Sequence, residues 1–86
     1  MVQVKILYFA SARDAASQKD FEMIELEDGS QTTLQAVIDI IKANHKDIAS
    51  VLETSVISFN QEYCDNEKLD KIHVKDNDEI AIIPPN

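Results

Sequence analysis

Few side chains in this sequence are of a type that does chemistry, and their spacing suits little of it. His45 and His73 have no cysteine or second histidine near them at metal-ligand spacing. His45 therefore reads as a helix-end residue, and His73 as a solvated loop or strand residue. Cys64 follows Tyr63 in a short strand-like stretch with no cue for a depressed thiol pKa, so packing is its reading and nucleophilic attack is not. Asp76, Asp78 and Glu79 gather acid. Their segment lacks the glycine, the length and the closing glutamate of an EF-hand loop, and it reads as a polar turn. There is no phosphate-binding glycine loop and no Gly-x-Ser-x-Gly elbow. The body is not expected to be a stand-alone enzyme, and neither a cofactor nor a metal is expected in it.

What remains is the ending, "DEIAIIPPN" at residues 78–86. An apolar run meets Pro84 and Pro85. Proline has no N–H and holds φ near −65°, so a strand ladder cannot pass Ile83 and the chain beyond it stays extended. At ~3 Å per residue, four residues past the prolines would reach about 12 Å. The plainer reading is that the prolines only block edge pairing, as strand-terminal prolines often do.

The elements that must hold this ending can be read from hydrophobic period. Residues 2–10, "VQVKILYFA", form a strand with Val4, Ile6 and Tyr8 on one face and Lys5, Leu7 and Phe9 on the other, expected to be buried on both. Residues 11–19 are a polar connection containing Arg13. Residues 20–27 form a second strand with Ile24 and Leu26 on one face, and "EDGS" at 27–30 is a turn around the single glycine. Leu34, Val37, Ile38 and Ile41 fall at i, i+3, i+4 and i+7, which predicts a helix over about 32–44 with Thr32 and Gln35 as a capping box. A short helical turn is expected over 47–53, a third strand over 55–59, a tight Asn60-Gln61 turn, and a short strand "EYC". Residues 65–78 are polar and irregular, anchored by Leu69, Ile72 and Val74, and close in the turn "KDND". The last strand is 79–83.

Strand, strand, helix, strand, short strand, strand is the order of an α+β, β-grasp (ubiquitin-like) domain, with a mixed sheet covering one main helix. The right-handed crossover rule places the first and last strands side by side, parallel and central. Residues 1–86 make one domain, too short for two cores. The net charge of −8 repels phosphate backbones and argues against nucleic acid. It suits a basic partner or plain solubility. One cysteine excludes an intramolecular disulfide. Lys5 interrupts the first apolar run, which therefore does not read as a signal peptide, and nothing approaches the ~20 apolar residues of a membrane span. A cytosolic location is expected.

Three stretches then carry a resemblance. "LYFASARD" at 7–14, "NQEY" at 60–63 and "DNDEIAIIPP" at 76–85 resemble the small, sulfur-carrier subunit of molybdopterin synthase. The resemblance spans the chain in order and length. It implies a C-terminal Gly-Gly that an adenylating enzyme of the ubiquitin-activating type converts to a thiocarboxylate. It further implies a tail that enters the large synthase subunit of a heterotetramer and supplies sulfur for the molybdopterin dithiolene, with the catalytic side chains on the partner. Carried onto this sequence, it makes Phe9, Tyr63 and Ile83 an apolar patch for the large subunit, and Arg13 a polar contact beside it. Pro84, Pro85 and Asn86 form the base of the tail. No glycine follows Gly29, so the expectation is that the working chain extends past Asn86 to Gly-Gly; the alternatives are a different ending or a lost carrier role. Two rival readings share the fold: the thiamine-pathway sulfur carrier, and a ubiquitin-like binding module without acyl chemistry. The Pro-Pro exit and "FASAR" favour the molybdenum cofactor side over the first.

Overall fold

Alternation in "VQVKILY" builds the strand β1 (Val2–Tyr8), whose Val4, Ile6 and Tyr8 are buried while Gln3, Lys5 and Leu7 are only partly covered. The expected burial of both faces is therefore corrected to burial of one. The computed structural model describes residues 1–27 and 32–85. After β1 come α1 (Ser11–Ala15), β2 (Phe21–Leu26), α2 (Leu34–Asn44), α3 (Ile48–Thr54), β3 (Val56–Phe59), β4 (Glu62–Cys64), a 3₁₀ helix (Asn66–Lys71) and β5 (Glu79–Ile83). The expected turn at 27–30 lies outside the described residues, except for Glu27.

The sheet order is β2-β1-β5-β3-β4. β1 runs parallel to β5, with Ile6 opposite Ile80 and Tyr8 opposite Ile82. The β1–β2, β5–β3 and β3–β4 pairs are antiparallel. This is the mixed sheet with a central β1–β5 pair that the element order requires. Residues 60–61 close the β3–β4 hairpin with φ of 49° and 72°, the double positive φ of a two-residue type I′ turn.

The core lies on one side of this sheet. Leu34, Val37, Ile38 and Ile41 of α2 join Ile48 and Leu52 of α3 against Val4, Ile6, Ile24, Ile57, Ile80 and Ile82. Each large aliphatic side chain buried this way stabilises the fold by roughly 1.5–3 kcal/mol. The cap of α2 differs from the sequence reading. Thr33 is the N-cap and its Oγ1 accepts from Ala36 N at 3.2 Å, while Gln35 donates to Asp39 at 3.0 Å and does not reach back to the cap. Two segments expected to be irregular contain helix. α1 buries Ala12 and is followed by buried Ala16, and the 3₁₀ helix is capped by Asp65 and buries Leu69.

His45 ends a helix as expected, and the structure adds that it is buried there. It is the C-cap of α2, with Nε2 3.0 Å from Glu22 Oε1 on β2. Tyr8 donates its hydroxyl to the same oxygen at 2.8 Å. The helix end is thereby tied to the sheet through a carboxylate.

Candidate functional site: the tail exit and the open face of the sheet

Cross-strand partners share a face of a sheet. The registers Leu7–Phe21, Leu7–Ala81, Ser58–Ala81 and Ser58–Tyr63 therefore form one row on the side away from the helices. Lys5, Met23 and Glu79 form a parallel row, and Val56 pairs with Ile83. No described helix covers this side, and apart from the terminal Met1 the exposed large apolar side chains, Phe9, Phe21, Met23, Val56 and Tyr63, belong to it.

β5 delivers the tail at one end of that face. Phe9 N donates to Ile82 O at 3.3 Å, which extends the β1–β5 pairing by one step and sets Phe9 beside Ile83. Phe9, Ala10, Ile83 and Pro84 line one open hollow of about 390 Å³. Phe9 is 47% exposed and Val56, on the other side of Ile83, is 44% exposed, so the strand leaves the sheet between two uncovered apolar side chains. The prolines come directly after. Asn86 lies outside the described residues.

The sequence-predicted residues divide. Phe9, Ile83 and Pro84 come together. Tyr63 shares their face and is 79% exposed, yet it stands two strands from β5 and lines a different hollow with Phe59, Cys64, Lys68 and Ile72. Arg13 sits on α1 and is paired with Asp20, Nε to Oδ1 3.2 Å, in an exposed ion pair. Such a pair is worth ~0–1 kcal/mol, which leaves the guanidinium available to a competing acceptor.

Sequence reasoning missed Val56, Phe21 and Met23. The signal for the last two was present: with Ile24 and Leu26 inward, Phe21 and Met23 must point outward on alternation alone. Val56 needed the register to Ile83 as well. Phe21 is partly satisfied by Lys5, whose Nζ lies 4.8 Å from the ring centroid.

The titratable groups away from this face are structural. Burial would raise the Glu22 carboxyl, but hydrogen bonds from His45, Tyr8 and Lys19 outweigh it and hold the group below its ordinary value. Burial, and then the bond to Glu22, push the Tyr8 phenol far above the usual tyrosine range. Burial likewise pushes the Cys64 thiol up, which keeps it protonated and fits a packing role. Among the described residues, no group of three or more His, Cys, Asp or Glu side chains is placed to hold a metal ion. No described helix is long and apolar enough to cross a membrane.

Similarity to known proteins runs along the whole chain. The ThiS family model matches residues 6–86. A molybdopterin synthase sulfur carrier subunit of Chlamydomonas reinhardtii is 42% identical over 84 residues, covering 98% of this chain and 95% of that protein. One from Dictyostelium discoideum is 39% identical over 83 residues, covering 96% of this chain and 92% of that protein. Among solved structures, a putative molybdopterin converting factor, subunit 1, from Pyrococcus furiosus superposes with a TM-score of 0.80 at 28% identity, covering 100% of both chains. The fold, the apolar face and the proline exit thus accompany a match across residues 6–86, and the chain belongs to the ThiS family, alongside its molybdopterin synthase sulfur carrier subunits.

Proposed function

We propose that this protein is the cytosolic sulfur-carrier subunit of a molybdopterin synthase. It delivers sulfur as a C-terminal thiocarboxylate to a large subunit, where the dithiolene of molybdopterin is made. The observation that carries the reading is the placement of the tail. A central strand, buried on its inner side, leaves the sheet at Pro84 between Phe9 and Val56, on the face no described helix covers. A docking face and a projecting acyl carrier are therefore one continuous surface.

The division of labour rests on what the chain contains. The described residues that line the exit, Phe9, Ala10, Ile83 and Pro84, carry apolar side chains, which supports a geometric contribution from the body. It binds the large subunit by the apolar face and holds the acyl terminus at a fixed reach, which replaces a bimolecular encounter by a positioned one. Pro84 and Pro85 limit the conformations of the tail before docking and so lower the ordering cost of insertion. Phe9, Ile83 and Val56 form the centre of the contact, with Tyr63 and Arg13 nearer its margin. An adenylating enzyme of the ubiquitin-activating type replaces one oxygen of the terminal carboxylate by sulfur. This chemistry needs a Gly-Gly terminus beyond Asn86.

The test is a reconstitution. The chain extended through Gly-Gly is incubated with the activating enzyme, ATP and a sulfur donor, then mixed with the large subunit and the pterin precursor. Mass spectrometry should show replacement of oxygen by sulfur at the terminus, and molybdopterin should form. Sulfur loading followed by transfer only to a thiazole-forming enzyme would establish the thiamine-pathway reading. Normal folding without loading would leave a ubiquitin-like binding module.

A further inference from the structure

The turn after β1 contains a backbone conformation its residue does not favour. Ala12 N donates to Phe9 O at 3.0 Å, so Phe9-Ala10-Ser11-Ala12 is a hydrogen-bonded β-turn. Its first central residue, Ala10, has φ 50° and ψ −124°. Those are the angles of a type II′ turn at the position that glycine dominates, because a Cβ there crowds the backbone. The other non-glycine residues at positive φ are Ser17, Gln18, Asn60, Gln61 and Asn77. All five have polar side chains. Among the described residues, Ala10 alone holds such a conformation with a bare methyl group.

The strain sits at the tail exit. Ala10 is exposed and lines the same hollow as Phe9, Ile83 and Pro84. Its carbonyl accepts from Arg13 N at 3.1 Å, so the turn also sets the start of α1. A glycine would satisfy the turn with less strain, yet it would remove a wall of the hollow and free the backbone next to Phe9. We propose that Ala10 is a positioning residue, whose methyl group and constrained turn hold Phe9 and the emerging tail in the arrangement the large synthase subunit binds. The proposal rests on the carrier reading above. Strain held at a functional surface is expected where the constraint fixes a geometry that relaxation would blur.

The experiment compares the wild-type chain with Ala10→Gly and Ala10→Ser, reading thermal midpoint and affinity for the large subunit by calorimetry. Ala10→Gly should raise the midpoint by a few degrees through relief of strain, while weakening binding roughly fivefold or more through lost preorganisation. Ala10→Ser keeps a Cβ and should bind like the wild type. A residue with only a structural role would not move stability and affinity in opposite directions. Wild-type affinity in Ala10→Gly would overturn the proposal, and so would a lowered midpoint, since the turn would then not be strained. A wild-type chain that fails to bind the large subunit would overturn the carrier reading and this inference with it. Binding by the wild type together with equal binding by Ala10→Gly removes this inference alone.

Discussion

His45 Nε2 and Glu22 Oε1 stand 3.0 Å apart, joining the end of α2 to β2 across 23 residues of sequence. An ionised carboxylate only accepts, so Nε2 must bear the hydrogen. Tyr8 spends its hydroxyl hydrogen on the same oxygen, and Lys19 Nζ lies 3.3 Å from the other. One carboxylate therefore satisfies two buried donors from two different elements. Glu22→Ala should destabilise the fold by about 2–3 kcal/mol, because the donors of His45 and Tyr8 are left unsatisfied. Urea unfolding followed by circular dichroism measures this directly, and a loss of only a few tenths would make the cluster incidental.

The same carboxylate sets an acid limit. Its folded pKa is held below the ordinary value of 4.5, so its stabilising contribution is complete above pH 4.5 and drains away as pH falls through the lower folded value. The midpoint of the wild type should decline over that range more steeply than that of Glu22→Gln, whose amide does not titrate. Parallel curves for the two proteins would place the acid sensitivity elsewhere.

At the alkaline end the sign reverses. Tyr8 has its phenol pKa raised far above the ordinary 10.0, so stability is intact below pH 10.0 and falls as the pH rises beyond it, where the unfolded chain ionises and the folded one does not. Tyr8→Phe should lose one hydrogen bond, costing about 1 kcal/mol at neutral pH, and should show a shallower decline above that limit. Thermal melts at stepped pH would separate the two behaviours.

Much of this was legible beforehand, for a physical reason. The strands and α2 announce themselves because one buried face imposes a period on the residues that build it, and the parallel β1–β5 pair is set by element order and handedness. What escaped has the opposite character. α1 buries alanines, which have little periodic signal, so residues 11–15 read as a polar connection. Thr32 and Thr33 are adjacent and equally good caps, and the backbone alone decides between them. His45 read only as a helix end, and its bond to Glu22 could not be read because that partner is 23 residues away in sequence. The candidate site was half visible: Phe9, Ile83 and the prolines lie at strand ends, where motif and period agree. Val56 and the displacement of Tyr63 depended on register, which a single sequence fixes weakly.

Register also separates the patch residues experimentally. Phe9 and Val56 flank Ile83 at the exit, whereas Tyr63 lies on β4 two strands away. Phe9→Asp should weaken association with the large subunit by about 2 kcal/mol or more, the scale of a central interface residue. Tyr63→Asp should cost less if it belongs to the margin. Because both side chains are exposed, neither change should move the unfolding free energy by much more than about 0.5 kcal/mol. Equal losses of affinity at the two positions would extend the central contact across the whole sheet, and no loss at Phe9 would put it on another surface.

The ending makes the sharpest contrast between folding and activity. The ladder stops at Ile83, paired with Val56, so Pro84 and Pro85 contribute no strand hydrogen bonds. Adding or removing residues past Pro85 should change stability by well under 1 kcal/mol. Sulfur transfer should respond in the opposite way, because once the body has docked it depends on how far the acyl group reaches. A protein ending at Asn86 should still bind the large subunit through Phe9, Ile83 and Val56, yet yield no molybdopterin. The form extended through Gly-Gly should restore turnover, and inserting two further residues before the glycines should lower it again. Two residues add ~6 Å of extended chain, enough to displace an acyl carbon that must approach within about 3–3.5 Å of its acceptor. Calorimetry run beside the activity assay should find the same affinity for the body in all three forms. Turnover that ignored tail length would mean the sulfur does not travel on the terminus, and the projecting strand would then serve docking alone.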